Sequence, residues 1–279
     1  MSRRFAAVTA VGATLVLSLT GCLGESGDSS AGGGVQLTAA QVLEKASQKT
    51  SQVDSYKADI TMNVGTPQGA MNMHSMAQVR IKPSMAFNMT VDKMTMGGQS
   101  LPLGAMQLLY LDKVIYLKSA QLSQATGGKT WLKIDLTDQA RQAGFDLDTL
   151  LNQSQQANPA EQTKMLTASK DVREVGEETI NGVKTTHYTG SMTVEEALAK
   201  LDAKTRAELG KAYREMGGTK IKFDLWADDQ QLPRKLTTKV PTAEGTMTMT
   251  MVYLDYGKPV NVNPPPAEQV GDFKGLTGN

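Results

Sequence analysis

Residues 55–64 read SYKADITMNV, and the spacing of their side chains decides the fold class. Apolar side chains occupy every second position from Tyr56 to Val64, with polar side chains between most of them. This period of two is typical of a β-strand that buries one face. Residues 246–256, TMTMTMVYLDY, repeat the alternation with methionine and threonine. Short segments of this kind joined by tight turns predict an antiparallel meander instead of βαβ units.

The same criteria locate the other secondary-structure elements. Asn181-Gly182 and Gly97-Gly98 mark turns, and the boxes Thr38–Gln41 and Thr193–Glu196 mark helix starts. Strands are predicted at 56–64, 70–82, 85–96, 105–111, 114–118, 130–136, 171–176, 183–192, 219–227, 234–240 and 246–256. Helices are predicted from Thr38 to about Val53, as one or two short helices after residue 137, from Pro159 to 168, and as one helix from Thr193 to about Met216.

The N-terminus has the pattern of a secretory signal peptide. The basic pair Arg3-Arg4 precedes an apolar run over residues 5–19, which ends at Leu19-Thr20-Gly21-Cys22. Cys22 is the only cysteine of the chain. This arrangement resembles the bacterial lipoprotein signal, in which the cysteine is thioether-linked to diacylglycerol before the chain is cut in front of it.

The signal predicts where the mature protein resides. We expect residues 1–21 to be removed and residues 22–37 to form a lipidated cysteine followed by a flexible Gly/Ser tether. The protein is then lipid-anchored at the extracytoplasmic face of the cell membrane. No later run of the sequence reaches the roughly 18 apolar residues that a membrane-spanning helix requires.

Charge and cysteine content exclude two classes of protein. Loss of Arg3 and Arg4 changes the formal net charge from +1 to −1. A nearly neutral chain lacks the overall basic character of a nucleic-acid-binding protein, so no nucleic-acid partner is expected. A single cysteine cannot form an intramolecular disulfide, so packing must stabilise the fold.

The sequence shows no catalytic constellation. His74 and His187, the only histidines, have no carboxylate or cysteine at ligand spacing in the sequence. The acidic pairs are adjacent residues, which on a strand point to opposite faces and make poor acid–base couples. No nucleotide, zinc-protease or serine-hydrolase motif occurs. We therefore expect no enzyme activity, no cofactor and no metal.

Methionine is abundant, with 16 residues, and it falls in clusters. Met71, Met73 and Met76 lie close together, and residues 247–251 carry three methionines in strict alternation. Thioether clusters bind Cu(I) in some exported proteins, so copper binding is one interpretation. We favour an adaptable apolar surface, because alternation places the side chains on one face and methionine repacks easily around varied ligands. A curved sheet lined in this way suits an acyl chain.

The order of motifs along the chain resembles actinobacterial lipoproteins of the LppX/LprG type, which are similar in fold to the LolA/LolB carriers. The resemblance covers roughly residues 38–266. The motifs that carry it, after the lipid signal, tether and first helix, are Ser55-Tyr56-Lys57-Ala58, Val114–Lys118 before Trp131-Leu132-Lys133, Ile180–Tyr188, Leu225–Asp228 with Leu232–Lys235, and Tyr256–Val260.

The resemblance implies an α+β fold, a strongly curved antiparallel β half-barrel with helices packed on its concave side. One lipid-binding domain would span residues 38–266, and residues 267–279 would form a disordered tail. The implied function is to bind lipid or acylated molecules in a hydrophobic cavity and to carry them in the cell envelope, with an unidentified transport partner. Our candidates for cavity-lining residues are Met89, Val91, Ile221, Phe223, Met249 and Met251.

A second interpretation also fits this fold. The domain could be a protein-interaction or sensor module that docks a partner without holding a ligand. The six candidate side chains would then be ordinary core between sheet and helices.

Overall fold

A computed structural model of the protein describes residues 37–67, 69–101, 106–119, 126, 128–136 and 159–272. The predicted signal peptide, Cys22 and the tether up to residue 36 lie outside these residues. So do the helices predicted between 137 and 158 and the tail after residue 272.

Four α-helices occur in the described part of the chain. They are α1 (Ala39–Ser51), α2 (Pro159–Leu166), α3 (Val194–Leu198) and α4 (Ala203–Glu215). Both predicted capping boxes are present: the Thr38 hydroxyl accepts from the Gln41 amide, and the Thr193 hydroxyl accepts from the Glu196 amide. No helix among the described residues is long and apolar enough to cross a membrane.

The described strands form a single mostly antiparallel sheet. The strands are β1 (Ser55–Val64), β2 (Met71–Arg80), β3 (Ala86–Met96), β4 (Gln99–Ser100), β5 (Met106–Leu111), β6 (Val114–Lys118), β7 (Trp131–Asp135), β8 (Arg173–Ile180), β9 (Val183–Thr193), β10 (Lys220–Ala227), β11 (Pro233–Pro241), β12 (Thr246–Tyr256) and β13 (Val270–Asp272). Their order across the sheet is β13-β7-β6-β5-β3-β2-β1-β12-β11-β10-β9-β8, and β4 pairs only with β3.

Two tight hairpins follow directly from local sequence. Asn181 and Gly182 adopt φ angles of 48° and 80° between β8 and β9, and Asp112 and Lys113 adopt 50° and 64° between β5 and β6. Two consecutive positive φ angles form the type I′ turn, whose twist matches that of paired strands. Asn-Gly is well suited to this turn because asparagine and glycine tolerate left-handed backbone.

The helices cover one face of the sheet, which we call the inner face. The main core cluster joins Leu43 of α1, Leu166 of α2 and Leu198 of α3 to strand residues that include Phe223 and Met251. These strand residues alternate with polar ones that point to the opposite, outer face. The prediction of an α+β fold, with a curved antiparallel sheet and helices on one side, is confirmed.

A second cluster lies on the outer face and involves the C-terminal segment. Val260 and Val262 pack with Leu109 and Trp131 of β5 and β7. Beyond them, β13 pairs with β7 in parallel, with Val270 opposite Trp131. The last described segment therefore crosses part of the outer face and ends as the strand at the sheet edge.

The prediction of a single helix from Thr193 to Met216 is wrong. The chain forms α3 and then α4, separated at Asp202, whose backbone is extended and whose carboxylate accepts from the amides of Lys204 and Thr205. Arg206 also donates to the carbonyls of Leu198 and Leu201 at the end of α3. Asp202 therefore starts a new helix while Arg206 satisfies the end of the preceding one.

The predicted boundary at residue 266 lies too early for the ordered chain. Residues 267–272, assigned by sequence to a disordered tail, form a 3-10 turn (Ala267–Gln269) and strand β13. Edge pairing to β7 orders this short polar segment, and Lys129 Nζ donates to the Glu268 carbonyl at 2.7 Å. Composition alone did not indicate this tertiary pairing.

Candidate functional site

Four methionines from four neighbouring strands lie in one row on the inner face. Met249 of β12 pairs with Met62 of β1, Met62 pairs with Met73 of β2, and Met73 pairs with Met94 of β3. Directly opposed residues of antiparallel strands have Cβ atoms roughly 5 Å apart, so neighbouring side chains in this row are in reach of one another. We call these four residues the methionine row.

The next row toward the strand ends is also apolar. Met247, Val64, Met71 and Met96 occupy successive paired positions on β12, β1, β2 and β3. Met96 is 42% exposed and the other three are half-buried. Two adjacent rows thus give this end of the inner face a continuous apolar lining that remains in part accessible.

The core clusters of the described residues cover this end of the face unevenly. Met247 and Met249 pack against the main core cluster. Met62, Met73 and Met94 are half-buried, yet no core cluster formed by described residues includes them. Half-buried apolar side chains outside a packed core form a surface that an apolar ligand could cover.

Three tyrosines pack together at the other end of the inner face, where Tyr56 and Tyr253 are buried and Tyr256 is partly buried. The rings of Tyr56 and Tyr253 meet edge to face at 6.0 Å, and Tyr253 stacks on Tyr256 at 5.5 Å. The Tyr253 hydroxyl donates to Gln162 of α2 at 3.2 Å, and the Tyr256 hydroxyl donates to the Pro233 carbonyl at 2.8 Å. Burial raises the pKa of Tyr253 well above its ordinary value, so it stays neutral and suits an apolar interior.

All six residues predicted to line a cavity fall on the inner face, but their surroundings differ. Ile221, Phe223 and Met251 are 3%, 1% and 1% exposed and belong to the main core. Met89 and Met249 are half-buried and pack against that core, and Val91 is buried. Of the six, Met249 alone belongs to the methionine row.

Sequence reasoning did not nominate Met62, Met73 and Met94 as lining residues. Period two correctly places Met62 on the apolar face of its strand, and Met73 belongs to the sequence cluster with Met71 and Met76. The sequence does not show that β1 pairs with β12, a strand from a distant part of the chain. This pairing aligns Met249 with Met62. The clusters became one surface only through strand order and register.

The two histidines point to the outer face and meet acids from neighbouring strands. His74 lies between Asp59 of β1 and Asp92 of β3, with nitrogen–oxygen distances of 3.1 and 2.6 Å. Hydrogen bonds to Asp92 and then Asp59 raise the pKa of His74. His187 lies 3.1 Å from both Glu178 and Asp224.

These positions remove His74 from any metal site built on the methionines. Its ring faces away from Met73 because successive residues of a strand point to opposite faces. Among the described residues, no group of three or more His, Cys, Asp or Glu side chains is arranged to hold a metal ion.

Known proteins resemble this chain in sequence and in fold. An uncharacterised 31.2 kDa protein of Streptomyces griseus is 31% identical over 241 residues, which cover 83% of this chain and 78% of the relative. The crystal structure of LprF from Mycobacterium bovis superposes with a TM-score of 0.49 at 14% identity, over 81% of this chain and 96% of LprF. LppX from Mycobacterium tuberculosis gives 0.43 at 12% identity, over 81% of this chain and 98% of LppX.

The family assignment depends on the sequence and not on these structural similarities. The sequence model of the LppX_LprAFG lipoproteins matches residues 38–262, which include all four helices and strands β1 to β12. The match confirms the resemblance drawn from motif order alone. The chain belongs to the LppX_LprAFG lipoprotein family.

Proposed function

We propose that this lipoprotein binds the acyl chains of a lipid or acylated molecule on the methionine-rich end of its inner face and carries that molecule within the cell envelope. The observation that supports this most directly is the methionine row, half-buried on the helix side of the sheet. Burial of each acyl methylene against such a surface contributes roughly 0.8 kcal/mol. Methionine side chains can repack around acyl chains of different shape.

The proposal includes the membrane anchor predicted from the sequence. Cys22 would carry the lipid, and the Gly/Ser stretch after it would hold the domain near the extracytoplasmic membrane surface. Replacement of Cys22 by serine should prevent incorporation of a labelled fatty acid into the chain, as measured by electrophoresis of total cell protein, while leaving lipid binding by the purified chain intact.

Ligand binding can be tested on the full chain purified in a non-ionic detergent. Native mass spectrometry should detect co-purified acyl species, and a fluorescent long-chain fatty acid should bind with saturation. Met73→Asp places a charge in the methionine row and should weaken fatty-acid binding at least about tenfold, because the carboxylate must stay hydrated. Met73→Leu should retain binding.

Met76→Asp is the matched control. Met76 lies on the same strand but on the outer face, where it is 37% exposed and pairs with Asp59 and Thr90, so an added carboxylate there stays hydrated and outside the methionine row. Equal fatty-acid affinity of the Met73→Asp and Met76→Asp variants would refute the proposed site. A purified chain without acyl species and without uptake would refute acyl binding itself and favour the interaction module.

A further inference from the structure

A second concave site lies on the outer face, across strands β8 to β11. It is a pocket of about 210 Å³ whose lining includes three basic side chains, Arg173, Lys222 and Lys239. A water molecule occupies roughly 30 Å³, so the pocket has room for about seven waters. It is smaller than the roughly 300 Å³ at which pockets for drug-sized ligands begin, and it suits a small group instead of an acyl chain.

Strand register brings the three cations together. Lys222 of β10 and Lys239 of β11 are direct cross-strand partners. Like charges at directly opposed positions destabilise a sheet. Arg173 of β8 lies near the two lysines on the other side of β9. It pairs with Thr189 of β9, and Lys222 pairs with Ser191, which is two residues further along the same strand.

The three cations keep their hydrogen-bond donors free. Within the described residues, the side chains of Arg173, Lys222 and Lys239 have no ion-pair or hydrogen-bond partner. All three side chains are exposed. Among the described residues, no ion pair therefore offsets the repulsion between the two lysines.

Two acids, Asp171 and Asp224, also line the pocket, and both already have other partners. Asp171 accepts from the Ser191 amide at 2.7 Å, from the Ser191 hydroxyl at 2.6 Å and from the Ser169 hydroxyl at 2.9 Å. The bonds from Ser191 lower the pKa of Asp171 to about 2. Asp224 lies 3.1 Å from His187 Nε2. Each carboxylate has its own partners, and neither forms an ion pair with the three cations.

We propose that this pocket binds a phosphate-class anion through Arg173, Lys222 and Lys239. A guanidinium can donate two parallel hydrogen bonds to one phosphate, and two ammonium groups supply further donors and charge. The anion can be a free phosphate or the phosphate of a lipid headgroup, since both present the same oxygens. The site lies on the face opposite the methionine row and is independent of acyl binding.

Thermal unfolding of the full chain in non-ionic detergent tests the site. Sodium phosphate should raise the unfolding midpoint with saturation, whereas sodium chloride at equal ionic strength should not, because only a ligand of the folded state stabilises it in this way. Lys222→Gln and Lys239→Gln should each weaken phosphate affinity about tenfold, as expected for loss of a charge-assisted hydrogen bond. The double variant should show no saturable response.

Lys220→Gln is the matched control, since Lys220 lies on the same strand and the same face, is exposed, and pairs with Thr193 instead of a lysine. It should keep the affinity of the unaltered protein for phosphate. Without phosphate, Lys222→Gln should not lower the unfolding midpoint, because it removes the repulsion from Lys239. Phosphate no more stabilising than chloride, or equal losses in Lys220→Gln and Lys222→Gln, would overturn the proposal.

Further ligands distinguish a free phosphate from the phosphate of a lipid headgroup. Glycerol 3-phosphate replaces inorganic phosphate in the thermal assay, and Cys22→Ser protein is sedimented with phosphatidylglycerol or phosphatidylcholine vesicles. Sedimentation that requires phosphatidylglycerol and Lys222 supports the site with a lipid headgroup as its ligand. If inorganic phosphate and glycerol 3-phosphate raise the unfolding midpoint but the vesicles do not sediment the protein, the site is supported and its ligand is a free anion.

Discussion

His74 joins three strands through a single side chain. Its two ring nitrogens meet Asp59 of β1 and Asp92 of β3, while the residue itself belongs to β2. Only the protonated ring can donate to both carboxylates at once. The cluster is partly exposed, with 32% of the His74 side chain accessible, so solvent screens part of each interaction.

This arrangement predicts a pH-dependent stability. The pKa of His74 is raised in the folded protein, so its stabilising effect is full below the ordinary value of 6.5 and is lost as pH rises through the folded-state value. Urea denaturation from pH 5.5 to pH 9 should show this component of the free energy of unfolding falling as pH rises.

His74→Gln should flatten this part of the pH profile, because glutamine does not titrate. Asp92→Asn keeps the histidine but removes its nearer acid, so the loss of stability should shift to lower pH. An unchanged profile in His74→Gln would contradict the assignment.

The acids around His74 show what residue-scale sequence reading misses. Asp59 and Asp92 lie 15 and 18 positions from His74 in the printed sequence, and neither spacing suggests a contact. They meet because β1, β2 and β3 are sheet neighbours and a bulge in β3 between Val91 and Lys93 adds Asp92 at this point.

At the scale of elements, a buried pair of threonines joins helices α1 and α2. The hydroxyls of Thr50 and Thr163 are 2.8 Å apart, and both residues are 1% exposed. Each hydroxyl also lies 2.7 Å from a carbonyl of its own helix, of Ala46 or Pro159. The pair therefore forms a small buried polar network where the two helices meet.

A double-mutant cycle tests how much this pair contributes. Thr50→Val or Thr163→Val alone should lower the free energy of unfolding by about 1–2 kcal/mol, because each leaves a buried hydroxyl with fewer partners. The double variant should lose clearly less stability than the two single losses added together. It removes both hydroxyls, and valine keeps the shape of the threonine side chain. Additive losses in urea denaturation would show that the two hydroxyls are not coupled.

Elements with local signals were predictable, and elements set by pairing were not. The Thr38 capping box and the Asn181-Gly182 turn are written in adjacent residues, and both occur as predicted. The break at Asp202 was missed because the apolar spacing of α3 and α4 continues across it, and strand β13 was missed because only its pairing with Trp131 orders it. The methionine row belongs to this second class.

At the scale of the whole domain, the C-terminal segment covers an apolar patch of the outer face. Val262 is 6% exposed in a cluster with Trp131 and Leu109. Val262→Asp should lower the free energy of unfolding by about 3 kcal/mol or more, because an unpaired carboxylate cannot stay in an apolar cluster. In a Trp226→Phe background, the emission of Trp131 should shift to longer wavelength as the segment detaches.

Asn263→Asp is the control, because residue 263 follows Val262 by one position and is exposed. It adds the same charge without entering the cluster, so neither stability nor emission should change. If both variants behaved alike, the patch under the C-terminal segment would have no part in stability.

The pairing of β1 with β12 also determines when the chain can fold. Ile60 pairs with Met251, so the middle of the sheet cannot form until residues near 250 have been synthesised. Until then β1 is the unpaired edge of the meander formed by β1 to β3, and such an edge is prone to pair with other chains. Contacts between such distant residues also form slowly. The central sheet is therefore completed late in folding, and a chain interrupted before residue 250 keeps an edge that is prone to aggregate.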